Sequence, residues 1–297
     1  MRSVSAASRG QAAGAACAFV AMAGLVALSG CAGTCGTSAT GVMLEYRMDE
    51  GDVLAYRQSS DMVQTMEVQG QSIPIESNEA LEFSLLVNGR NKGLHDLTVT
   101  VDGVSVVAST PQGSTEAEAS DAIGQSFDMT LTSLGKEGGL PENDEFVYSM
   151  EPQGDRSLIP MFSEMFPDLP DHPIEIGDTW PAVLKMDDDT GGTNLSVVIE
   201  AVNTLVGFEE FRGYECAKIT SVLSGTIEGS GRQNGANWIL TSDNNGTGVW
   251  YFAYKDGILV SDISEGTATG SITVTAPNGE VTMPVTRVYT MSTELVR

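Results

Sequence analysis

The residues of this 297-residue chain best suited to nucleophilic, redox or metal chemistry are four cysteines and two histidines. Cys31 and Cys35 stand four positions apart behind a charge-free run, Cys17 lies inside that run, and Cys216 is far downstream. A C-x-x-x-C pair can form a disulfide, supply half of a metal site, or carry an attached group. C-x-x-C spacing is absent and no second Cys/His pair completes four ligands, which speaks against zinc or a redox dithiol. Neither His95 nor His172 has a nucleophile to serve, because the chain contains no G-x-S-x-G elbow. His172 beside Asp168 and Asp171 offers a metal or acid/base cluster, or simply a solvated loop histidine. Asp187-Asp188-Asp189 fails as the start of an EF-hand loop, since Val198 stands where the bidentate Glu belongs. It reads as a solvated hairpin tip. "GSGRQNG" lacks the spacing and strand-to-helix setting of a dinucleotide loop. The chain is therefore expected to be no enzyme, with no catalytic residue, no metal and no cofactor.

Attachment accounts for Cys31 best. Arg2 and Arg9 are the only charged residues before Glu45, and an apolar, Ala/Gly-rich run follows them. A basic start, an apolar core and small residues before a cut site make a secretory signal. The small residues end at Leu28-Ser29-Gly30-Cys31, which resembles the lipobox of bacterial lipoproteins. That resemblance implies a signal peptide over 1–30, a diacylglyceryl group on the Cys31 thiol with added acyl (palmitate-type) chains, and a membrane partner reached through the lipid. Ala32 follows, rather than the Asp that resembles an inner-membrane retention signal, so the resemblance points to the outer membrane, facing periplasm or cell surface. The other reading of the run is an uncleaved membrane-spanning helix. Residues 31–42, rich in Gly, Thr and Ser, form a flexible tether. Cys35 and Cys216 can then pair in an oxidising compartment, or remain a tether thiol and a separately buried one.

Without residues 1–30, which carry two of the 15 basic and none of the 40 acidic residues, the net charge is 13 − 40 = −27. Such a surface repels phosphate backbones, so nucleic acid is excluded as a partner. Hydrophobic residues make up 41% of the chain, and 33 glycines with few helical patterns lean to an all-β class.

Strand periodicity dominates from residue 43 onward. Met43 to Val53 and beyond reads as a hairpin around Asp49-Glu50-Gly51-Asp52. "GLHDLTVTVDGVSVVAS" is one strand with a bulge at Asp102-Gly103, or two strands around a turn. "STEAEASDAIGQSF" is a short helix or a polar loop. Asn245-Gly246, Asp256-Gly257 and Asn278-Gly279 are hairpin dipeptides, and Pro284 suggests an edge strand. Between the halves, Leu158, Met161, Phe162 and Met165 recur at helical spacing before prolines at 167, 170 and 173. The expected layout is a β module over 43–152, a Pro-rich connector over 153–180 with a short amphipathic helix near 156–166, and a second β module over 181–297. Both modules are expected as antiparallel, curved, open sheets, echoing each other through "EGD" and "IGD".

The marks Phe166-Pro167, Leu169-Pro170, Pro173, Gly177-Asp178-Thr179-Trp180 and Phe252 to Gly257 resemble a family of uncharacterised bacterial lipoproteins. The strand pattern is also similar to the curved open sheets of lipoprotein carriers such as LolA and LppX. Leu158, Met161, Phe162, Met165, Phe166, Trp180, Trp250 and Phe252 are then either ordinary core or the lining of an apolar cleft. The connector stripe is either permanent core or a movable lid. Two functions remain. One is a lipid-anchored binding module for an apolar or amphiphilic ligand; the other is an assembly lipoprotein gripping another envelope protein.

Overall fold

The computed structural model describes residues 41–296 apart from 69, 118, 143–145, 151–153, 164, 190–191, 234 and 278. The expected signal segment, most of the tether, and Cys17, Cys31 and Cys35 lie outside the described residues. Strands are β1 (Val53–Val68), β2 (Gln71–Asn91), β3 (Leu94–Thr110), β4 (Gly113–Glu116), β5 (Ser126–Thr132), β6 (Glu137–Gly138), β7 (Val147–Met150) and β8 (Gly154–Ser157). The rest are β9 (Thr179–Asp188), β10 (Thr193–Phe211), β11 (Tyr214–Gln233), β12 (Ala236–Ala253), β13 (Ile258–Ala276) and β14 (Gly279–Leu295). All but β7 and β8 form one antiparallel sheet in the order β6-β5-β3-β2-β1-β14-β13-β12-β11-β10-β9, with β4 against β3. Its two ends do not meet, so the sheet is open.

The halves expected as separate modules are strands of this single sheet, joined where β1 pairs β14 from Tyr56↔Leu295 to Met66↔Val285. The cause lies in residues 43–49, which form no strand and leave one side of β1 free for β14. That segment instead crosses one end of the sheet. Tyr46 N donates to Ser133 O at 2.8 Å, Arg47 N to Gly257 O at 2.9 Å, and Val42 bridges Ile174.

The echo between the halves is real at the level of hydrogen bonds. The Asp52 and Asp178 side chains accept from Asp49 N at 2.9 Å and Glu175 N at 2.8 Å. The glycine before each aspartate donates to Val87 O or Leu205 O, and the aspartate carbonyl accepts from the same residue's N–H. Both receiving strands shift register just beyond, at Val87/Gly89 and Leu205/Gly207. Both then turn through two residues of positive φ, Lys92-Gly93 and Arg212-Gly213, which is the twist that two-residue hairpins require.

Other turn signals resolve differently. β3 runs unbroken with Asp102 as its bulge, since Glu82 pairs Gly103 and Phe83 pairs Val101. Asn245-Gly246 is no turn: it lies inside β12, with Gly246 opposite Gly266. β14 is interior, but its pairing with β1 ends at Val285, so Pro284 has a strand neighbour on one side only. "STEAEASDAIGQSF" contains β4 residues and turns rather than a helix.

The helix expected near 156–166 is also absent among the described residues. Residues 154–157 are β8, and only a 3-10 turn, Ile159–Met161, follows. Pro160, which lacks an N–H, sits inside the apolar stripe and cannot propagate an α-helix. The stripe is nonetheless buried. Phe162 stacks edge-on against Phe83 at 5.2 Å and Phe127 at 5.1 Å, and Phe166 against Tyr46 at 5.4 Å and Tyr56 at 6.0 Å. One apolar core takes in residues of β1, β2, β3, β5 and β9 to β14 together with this segment. A flat sheet cannot touch one core from both flanks, so the sheet curves around it.

Candidate functional site

Side chains of a strand alternate between faces, so the register identifies which residues share the concave wall. Nearest the core, Trp250 stands opposite Asp262, with Ile219 beside them. The next row reads Trp180, Asn203, Ser221, Gly248, Ser264 and Met291 across β9 to β14. Beyond it comes Ala182, Ala201, Leu223, Gly246, Gly266, Tyr289 and Met62, then Leu184, Ile199, Gly225, Asn244, Ala268, Arg287 and Gln64. The outer rows are mostly aliphatic or aromatic with interspersed small and polar residues: Met186, Val197, Ile227, Ser242, Gly270, Val285, Met66 and Ile73, then Asp188, Leu195, Gly229, Leu240, Ile272 and Met283, then Thr193, Gly231, Trp238, Val274 and Val281. Most of these outer side chains are half-buried rather than closed off.

Small residues let the wall bend. A Cβ on Gly225 would run into the Val198 carbonyl, and one on Gly266 would strike the Tyr289 ring that lies over it. The convex face is mixed: Ser224, Thr226 and Glu228 on β11, Thr241, Asp243 and Asn245 on β12, and Glu265, Thr267 and Thr269 on β13 share it with the exposed Val183, Val202, Val222, Ile239, Ile263 and Val288.

A cavity of about 90 Å³ opens between the core and the polar rows, lined by Phe166, Asp168, Asn203, Ser221, Trp250 and Asp262 among others. One relay of hydrogen bonds fixes its wall: Trp250 Nε1 donates to Ser221 Oγ at 3.1 Å, and Ser221 Oγ donates to Asn203 Oδ1 at 2.6 Å. Asp262 reaches the same space with no ion-pair partner among the described residues, and burial pushes its carboxyl up to about 7. The volume suits a few waters and is well short of a drug-sized ligand.

The expected site residues are brought together, but mostly as filled core. Leu158, Phe162, Met165 and Phe252 are buried, with Phe252 against Tyr46 at 5.1 Å, and Met161 is half-buried. Trp180 meets Trp250 edge-on at 6.0 Å and donates from Nε1 to Asp168 O at 3.0 Å. Of the eight, only Phe166 and Trp250 face the cavity. Cys216 is a buried free thiol, pushed up to about 11 mainly by burial. His95 is buried with Nε2 3.0 Å from Tyr46 O, and burial lowers its pKa. His172 lies exposed against Asp171 at 3.0 Å, whereas Asp168 is taken by Lys136 at 2.6 Å, so the three do not form one cluster.

Asp262, Asn244, Arg287 and Tyr289 were not anticipated from sequence. Arg287 and Tyr289 were findable, because they continue the inward alternation of Met283 and Val285. Asp262 was hidden by the register shift at Tyr251/Phe252, where β13 inserts an extra residue.

No family model matches the chain, and no curated protein matches it. Among solved structures it is similar to Pseudomonas aeruginosa OccK2 (OpdF), with 7% identity, TM-score 0.24, and coverage of 83% of this chain and 98% of that one. It is also similar to an outer membrane channel from Pseudomonas putida F1, with 9% identity, TM-score 0.20, and coverage of 84% and 97%. Likeness at these scores carries no argument about fold or function.

Proposed function

We propose that this chain is a lipid-anchored envelope lipoprotein that holds an apolar or amphiphilic ligand on the concave wall of its sheet, acting by binding rather than catalysis. The observation that carries the reading is the half-buried aliphatic lining of the outer rows: Val197, Ile227, Ile272, Val274 and Met283. It lies on the inside of a sheet whose outside mixes Ser, Thr, Asp and Glu with exposed Val222, Ile239, Ile263 and Val288. Apolar surface left half-covered on a concave face, in a chain of charge −25, has an occupant as its simplest explanation. Anchoring rests on the Leu28-Ser29-Gly30-Cys31 signature, with Cys31 as the lipidated residue.

Mass spectrometry of an organic extract from the natively purified protein tests the binding. A co-purifying lipid or other amphiphile, lost on denaturation, is the expected result; an extract no different from that of a control protein contradicts it. The assembly reading draws on β9, whose far side has no strand partner among the described residues. That edge carries Pro181, Lys185 and Asp187, residue types that discourage strand addition, so the ligand reading is the better supported.

A further inference from the structure

On the concave wall the polar side chains of rows deep in the sheet give way, toward the strand ends, to aliphatic ones. At that boundary sits Arg287, a cation half-buried in a strongly acidic chain. Its Nε donates to Gln64 Oε1 at 2.7 Å, from the directly opposed position on β1. No carboxylate lies within ion-pair distance of its guanidinium among the described residues. An arginine withdrawn from water normally finds an anion, because its fork of donors suits planar carboxylates and its desolvation is otherwise uncompensated.

Two neighbours point the same way. Asn244 lies in the same row, separated from Arg287 only by the small Ala268. Asn244 is 2% exposed, and neither its amide nitrogen nor its amide oxygen makes a well-formed hydrogen bond. Tyr289, two residues along β14 from Arg287, lies over Gly266 with its hydroxyl toward Asn244. A guanidinium, a buried amide and a phenol thus lie together along Gly225, Gly266 and Ala268, with the Tyr289 ring covering Gly266 and its hydroxyl the nearest polar neighbour of the Asn244 amide.

From Arg287 the same face runs outward through Val285 and Met283 to Val281, flanked by Met66, Ile272 and Leu240. Six residues of strand at ~3.4 Å each give roughly 20 Å of apolar wall. That is the reach of a long saturated acyl chain.

We infer that Arg287, with Asn244 and Tyr289, is the head-group site for a single-chain fatty carboxylate whose tail lies along the outer rows. The single positive charge matches a single carboxylate. A dianionic phosphate would bring uncompensated negative charge into an already acidic protein. This inference rests on the amphiphile reading above and specifies its ligand class.

The test titrates the full-length protein with palmitate, cetyl alcohol and cetyl phosphate by displacement of a fluorescent fatty-acid probe. The wild type is expected to bind palmitate at least about tenfold more tightly than the alcohol and more tightly than the phosphate. Arg287→Gln is expected to lose the preference for palmitate while keeping the alcohol, which also reports that the wall is intact. If that variant fails to fold, Asn244→Asp replaces it, since a carboxylate in the same row should weaken palmitate and leave the alcohol. Equal binding of acid and alcohol by the wild type, or a preference that survives both substitutions, overturns the head-group assignment alone. Tighter binding of the phosphate overturns the choice of carboxylate. Binding of none of the three overturns the amphiphile reading together with this one.

Discussion

The Tyr56 hydroxyl on β1 donates to the Leu259 carbonyl on β13 at 2.9 Å, across the intervening β14. Both residues are fully buried or nearly so, and the bond ties the first half of the chain to the last within one core. A two-module chain would have no use for it.

Tyr56→Phe removes that donor from a buried carbonyl. The expected cost is about 1–2 kcal/mol, read as a lower urea midpoint with an unchanged slope. Ring packing against Phe83 at 5.7 Å survives the change, so an unchanged midpoint would show that the bond does not join the halves.

The connector stripe behaves as core. Phe162→Ala opens a void among Phe83, Phe127 and the 3-10 turn and should cost about 3–5 kcal/mol. Val222→Thr on the exposed convex face should stay within ~0.5 kcal/mol. A stripe acting as a lid would instead show a small stability loss at Phe162 and altered uptake of a fatty-acid probe.

Asp262 gives a pH dependence of definite sign. Its carboxyl is raised to about 7 in the folded protein, against ~3.9 for a free aspartate. The folded state then holds the proton more tightly than the unfolded state, so this residue makes stability fall as pH rises between those values. Below both it contributes nothing; above about 7 the full cost of a buried carboxylate is present. Asp262→Asn should abolish this part of the decline in melting temperature between acid and neutral pH, with wild type and variant converging in acid. Parallel curves for the two proteins would show that Asp262 titrates normally.

Cys216, buried and with its thiol raised to about 11, should resist iodoacetamide in the native protein and react once denaturant is added without reductant, as followed by peptide mass mapping. Labelling of the native protein would contradict its burial. Labelling that needs reductant as well as denaturant would reveal a disulfide, with Cys35 the partner to look for.

Much of this fold is legible in strand alternation. β3, β10, β11 and β13 show their inward residues directly, and the family of antiparallel strands follows from that. The joining of the two halves is not legible, because whether β1 meets β14 depends on pairing across the whole chain, and no local signal encodes it. Asn245-Gly246 misleads for a physical reason: a glycine needed where the wall bends looks like one needed for a turn. Lys92-Gly93 and Arg212-Gly213 escape notice because Lys and Arg are uncommon at positive φ. The stripe from Leu158 to Phe166 declares its burial but not its shape, since Pro160 reduces a helical pattern to a single 3-10 turn. At the candidate site, Trp250 and Phe166 were readable from composition, whereas Arg287 becomes meaningful only once its register with Gln64 and Asn244 is known.

The central claim, that the concave wall holds an amphiphile, is tested most directly by photolabelling the full-length protein with a diazirine fatty acid and mapping the adducts by mass spectrometry. Adducts are expected on inward-facing outer-row residues such as Ile227, Ile272, Val274 and Met283, and to be competed away by unlabelled palmitate. Adducts confined to convex residues such as Val222, Ile239 and Val288, or insensitive to competitor, would contradict the account.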